Sequence, residues 1–238
     1  MLFDGRDLEL PRDGGDAARS RRRSARWVTG FFVSLFALAA FLSPNPVSAA
    51  LSERMQNWLH PPSLATERMA ADAGLTPEAR SVFFASSPSL EPREQLAVSC
   101  SDDSPEILGC YTSADGVIHV ISTSHPLLPA VEAGVAGHEV LHAIWSRMSE
   151  TERFEMSGAL RTAWTTLSRD PRLEARMAVY SDLDEAGFTN ELHSVLATEV
   201  QDIGPELEAH YARYFVDRAG LASRTTAAFD GSGGLGVG

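Results

Sequence analysis

The sequence contains no lysine: all 20 of its basic residues are arginine, set against 32 Asp and Glu, and the formal net charge is -12. A field of that sign repels polyanions, so nucleic acid is not an expected partner unless a local basic patch supplies the contact. The one basic cluster, Arg19 to Arg26, lies beside an apolar run near the N-terminus rather than in the body of the chain. Cysteine is nearly absent as well. Cys100 and Cys110 are the only two, and no second Cys or His pair stands near them at the interval of a metal knuckle. There is no internal repeat, which excludes solenoid and propeller architectures. With 238 residues, 44% hydrophobic and 22% charged, the composition is that of a folded globular body of one sizeable or two small domains.

The apolar run from Trp27 to Leu42 follows the arginine cluster and precedes Ser43-Pro-Asn-Pro and Val47-Ser-Ala-Ala. A basic region, an apolar stretch and a small-residue end describe an export signal, with cleavage after Ala49 or Ala50. Extended through Val47, the same run serves instead as an uncleaved anchor. On either reading the positive-inside rule keeps Arg19 to Arg26 in the cytoplasm and sends the rest across the membrane. A disulfide closing the short loop between Cys100 and Cys110 fits that oxidising side. The expected organisation is a disordered cytoplasmic tail over 1–26, a signal or anchor over 27–50, a folded domain over 51–228 and a flexible Gly-rich tail over 229–238.

Periodicity predicts helices over Leu51 to Leu59 and Ser63 to Ala73, divided by Pro61-Pro62, and a helix entered through Thr76-Pro77-Glu78. β-Branched residues bounded by turn formers predict strands over Gln95 to Ser99 and Gly116 to Ser122. From Pro129 the pattern turns helical, with further helices over 150–168, 189–203 and 205–219 and a break at Arg169-Asp170-Pro171. The fold class expected is α+β, a small sheet with a helical C-terminal part.

The predicted helix after Pro129 carries His138-Glu139-Val140-Leu141-His142. Residues four apart share a helix face, so His138 and His142 can present two imidazole nitrogens to one ion, with Glu139 beside them. Zinc held by three protein ligands keeps one position open and lowers the pKa of water there toward about 7. Glu139 is then the general base that takes the water proton and passes it to the leaving amine. Two His and a Glu on an otherwise apolar helix are costly to bury without a metal partner.

The HEVLH segment resembles the active-site helix of the zincin metallopeptidases. Leu108-Gly-Cys-Tyr111, the strand GVIHVI, that helix and Asn190-Glu-Leu-His-Ser194 together are similar to exported bacterial zinc peptidases of the gluzincin type, over roughly residues 95 to 220. The resemblance implies a zincin-like fold and a sheet whose edge strand aligns an extended peptide or protein substrate, with Gly116 to Ser122 as the candidate edge. A third His at close range is excluded, because Ala143-Ile-Trp-Ser-Arg-Met-Ser offers none. For the third ligand two carboxylates compete. Helix phasing favours Glu199, which falls among Leu192, Val195, Leu196 and Ile203, whereas the resemblance favours Glu191 in its Asn-Glu-x-x-small setting. With Glu191 as ligand, Glu199 is free to orient a histidine. His193 is a further alternative. His210, Tyr211 and Tyr180 have the chemistry of a donor to a developing oxyanion. Two other functions remain open: a zinc-stabilised, non-catalytic binding or sensory protein of the cell envelope, which would have no need of Glu139, and an interaction protein without metal.

Overall fold

The computed structural model describes residues 61–101, 107–122 and 128–231. The expected tail, the signal or anchor segment and the helix over 51–59 lie outside these residues, as do residues 232–238 of the C-terminal tail. Among the described residues the protein is mixed α+β and mostly helical, with nine helices and a three-stranded sheet. No helix there is long and apolar enough to cross a membrane.

The chain enters through α1 (Leu64–Asp72), capped by the Ser63 hydroxyl, and α2 (Pro77–Ala85), where Thr76 caps and Pro77 occupies the first turn. Strand β1 (Ser89–Glu91) follows, then α3 (Arg93–Ser99). The segment expected as a strand over Gln95 to Ser99 is therefore a helix. Pro92 and Arg93-Glu94 start it, and a single Val outweighs nothing in a stretch of good helix formers. Strand β2 (Gly109–Thr112) turns through Gly116, at φ 76°, into β3 (Val117–Ile121).

The sheet order is β1-β3-β2, with β1 parallel and β2 antiparallel to β3. The strand expected at the edge, Gly116 to Ser122, is thus the central one, buried through Ile118, Val120 and Ile121. The edge beside the helical layer is β2.

Helix α4 (Leu128–Arg147) crosses the core behind the sheet, and α5 (Glu150–Leu167) leaves it through a complete Ser149/Glu152 capping box. The expected break at Arg169-Asp170-Pro171 ends α5, and it also starts a helix that was not expected, α6 (Pro171–Ala178): Asp170 caps it and Pro171 takes the first helical position. Helix α7 (Glu185–Glu199), capped by Asp184, begins four residues earlier than expected and ends four earlier. The helix expected over 205–219 is two, α8 (Pro205–Tyr211) and α9 (Arg218–Gly231), so the segment read as tail from residue 229 starts inside a helix. Helices α4, α7 and α9 pack on one another around the central core. A Cβ at Gly134 of α4 would meet the Thr225 side chain at 2.5 Å, which explains how closely α9 approaches.

Candidate metal centre

His138 and His142 lie one turn apart on α4, and Glu191 on α7 faces both. His138 Nε2 is 3.4 Å from Glu191 Oε2, and His142 Nε2 is 3.5 Å from Glu191 Oε1. All three donor atoms lie within 4.8 Å of one another. The edge of a tetrahedron with zinc–nitrogen or zinc–oxygen bonds is about 3.3 to 3.4 Å. Two of the separations therefore already match what one ion would impose. Among the described residues this is the one cluster of three such groups able to hold a metal.

The electrostatics agree with the geometry. Burial works against ionisation of Glu191, yet its hydrogen bond to His138 and the charges of both imidazoles hold the carboxyl down at about 2. Burial also opposes a charge on His138, but Glu191 and Glu139 outweigh it and raise that pKa. Burial and the neighbouring His138 push His142 down to about 4, leaving a neutral imidazole. Buried Asn190 Oδ1 and His142 Nδ1 each lack a settled hydrogen-bond partner, and the Asn190 amide lies close enough to act on the ring. A carbonyl at that nitrogen fixes the tautomer that turns Nε2 to an ion. Two imidazole nitrogens, of which that of His138 must give up its proton to coordinate, and one ionised carboxylate make a donor set that suits zinc.

Glu139, only 5% exposed, follows His138 on α4 and lines the same cleft as the three donors. Burial, opposed by His138 and reinforced by Glu191, raises its pKa to about 7. The Tyr111 backbone N–H lies in hydrogen-bonding reach of its carboxylate. That contact follows from the register of β2. Leu108 C=O accepts from Ile121 N–H at 2.8 Å, so Gly109 and Tyr111, the alternate positions opposite Val120 and Ile118, turn their backbone groups away from β3. They face a cleft of about 1250 Å³ that His138, Glu139, His142 and Glu191 also line. Gly109 is required there: an added Cβ would lie 2.4 Å from Val135 Cγ1, 2.8 Å from the His119 carbonyl oxygen and 3.3 Å from Glu139 Cγ. The expected disulfide is present and ties Cys110, between Gly109 and Tyr111, to Cys100 at the end of α3.

The remaining residues singled out in the sequence sort by position. Glu199, favoured by phasing, is occupied: both its oxygens lie 2.9–3.0 Å from Arg176 Nε. It orients that arginine rather than a histidine. The phasing argument failed because it ranked burial, and a carboxylate is buried as well by a guanidinium as by a metal. His193 is fully buried, with Nε2 3.1 Å from His210 Nε2, so it faces away from the cluster. His210 is thereby engaged, and the Tyr211 hydroxyl donates to the His193 carbonyl at 2.7 Å. Neither lines the cleft, whereas Tyr180 does. Sequence reasoning missed Arg176 altogether, because no element was assigned between the Arg169-Asp170-Pro171 break and residue 189. The Asp170-Pro171 cap was the signal that could have found it. Compared with known protein families, with curated proteins and with solved structures, the chain matches none.

Proposed function

We propose that the protein is a zinc-dependent peptidase that hydrolyses extended peptide or protein substrates. The observation that carries the reading is the convergence of His138, His142 and Glu191 beside a buried, non-ligating carboxylate, Glu139, whose proton affinity is tuned to neutrality. Zinc, when bound by those three side chains, supplies Lewis-acid activation of water and of the scissile carbonyl. Glu139 accepts a proton from the attacking water at its carboxylate and delivers it to the departing amine nitrogen. The outward backbone groups of Gly109 and the carbonyl of Tyr111, whose N–H faces Glu139, align the substrate chain as an added strand. The disulfide supports a site of action outside the cytoplasm, with the N-terminal segment as signal or anchor.

A metal held only for structure needs a closed ligand set and no adjacent base. Glu139→Gln separates the two uses. The variant is expected to bind about one zinc per chain, measured by elemental analysis, and to lose hydrolysis of an unstructured protein substrate. Wild-type protein purified with far less than one zinc, or a Glu139→Gln variant that still hydrolyses, would sink the reading.

A further inference from the structure

Helix α6 has two faces. Leu173 and Met177, four apart, are buried in the core, while Arg176 and, just past the helix end, Tyr180 line the cleft beside Glu191. Arg176 is fixed from behind, its Nε within 3.0 Å of both Glu199 oxygens. Its Cζ lies 5.2 Å from the centroid of the Tyr180 ring, over the ring face. Tyr180 in turn lines the same cleft as Glu191 and helps to hold the Glu191 carboxyl down. The chain of contacts thus leaves α7 at Glu199, passes through α6, and returns to α7 two turns earlier, at Glu191.

The two Glu191 oxygens point one to each histidine. A carboxylate held only from that side can rotate about its own axis, and a donor from behind removes the freedom. Such outer partners of a ligand are worth roughly 10- to 100-fold in metal affinity. A stability role alone explains the Arg176–Glu199 pair poorly, because its guanidinium side chain is 36% exposed and a half-wet ion pair contributes little.

We propose that Arg176, clamped by Glu199, is a positioning residue of the metal centre: it fixes the Tyr180 ring so that the phenol steadies the ligand Glu191. This rests on the zinc reading above. It is distinct from that reading in what it requires, namely that Arg176 acts on the metal through Tyr180 and not by its charge.

Zinc affinity of the purified protein, measured by competition with a chromophoric chelator, tests it on wild type, Tyr180→Phe, Arg176→Met and the double variant. Tyr180→Phe is expected to bind zinc about 10- to 100-fold more weakly, and Arg176→Met at least about fivefold more weakly. The double variant is expected within about twofold of the weaker single, because both substitutions break one path. Arg176→Lys keeps the charge but loses the planar group over the ring, so it is expected to weaken binding as Arg176→Met does. It also replaces that variant if Arg176→Met fails to fold. Removing a nearby positive charge alone would tighten zinc, the opposite sign. Either single variant within twofold of wild type, or a double variant equal to the product of the two losses, overturns the inference while leaving the zinc site standing. A wild-type protein that does not compete with the chelator overturns the zinc reading itself, and this inference with it.

Discussion

Gly109 concentrates the site's dependence on one missing atom. Two of the three contacts its Cβ would make, with Val135 Cγ1 at 2.4 Å and the His119 carbonyl at 2.8 Å, are too short to keep, and one is backbone that cannot move aside. Gly109→Ala must therefore push β2 off α4. Overpacking of this kind costs typically about 1–3 kcal/mol. The displacement falls on the strand that holds Tyr111 N–H against Glu139. The expected outcome is a fold that survives, seen by circular dichroism, with zinc still bound and hydrolysis reduced at least about tenfold. Activity near wild type would remove β2 from the catalytic account. Single residues were the scale at which the sequence spoke most clearly. His138, Glu139 and His142 follow from helical spacing alone, since the geometry that unites them is local. Gly109 does not, because the atoms that forbid its side chain come from α4 and β3.

Elements were legible where both ends carried their own chemistry. Ser63, Thr76-Pro77 and the Ser149/Glu152 box mark helix starts that the structure reproduces within a residue. Sheet order was not legible: no local signal says that a strand at Gly109 to Thr112 takes the edge and GVIHVI the centre. The end of α7 is another case. It stops at Glu199, four residues before the apolar periodicity does, because Arg218 from the start of α9 takes over its last carbonyls. That guanidinium, 4% exposed, donates to the carbonyls of Leu196, Ala197, Val200 and Gln201 and to the Glu208 carboxylate. It caps the helix that carries Glu191. Arg218→Met keeps the apolar stem and removes every donor. The expected loss is about 3 kcal/mol or more, from buried carbonyls left unpaired, read as the shift in urea midpoint. A loss below about 1 kcal/mol would show that α7 holds its end without this cap.

At the scale of the whole molecule, the early and late parts of the chain are joined directly. Leu75 and Phe215 form an antiparallel bridge, Thr76 N–H donates to the Tyr214 carbonyl, and Val216 N–H donates to that of Gly74. This seam sits next to α8, whose His210 meets His193 beneath Trp145 and lies edge-on to Tyr211 and Tyr214. Burial first, and the Arg213 cation second, lower the His210 pKa from 6.5 to about 4. Above pH 6.5 the ring is neutral in folded and unfolded chains alike, and its contribution to stability is fully present. As pH falls from 6.5 toward 4, the unfolded chain takes up a proton that the folded protein refuses, so stability declines; below about 4 the decline levels off. One such group accounts for up to about 3 kcal/mol across that window. The measurement is the urea midpoint of chelator-treated protein between pH 7 and 4.5, for wild type and His210→Gln. Chelation removes metal linkage, and comparing slopes cancels the titration of His142, which both proteins share, leaving that of His210 together with the part of the His193 shift that His210 causes. The variant is expected to lose stability less steeply with acid, by up to one proton at the steepest point. Parallel slopes would mean that the His193–His210 contact opens before His210 protonates and that the packing around α8 yields to acid by another route.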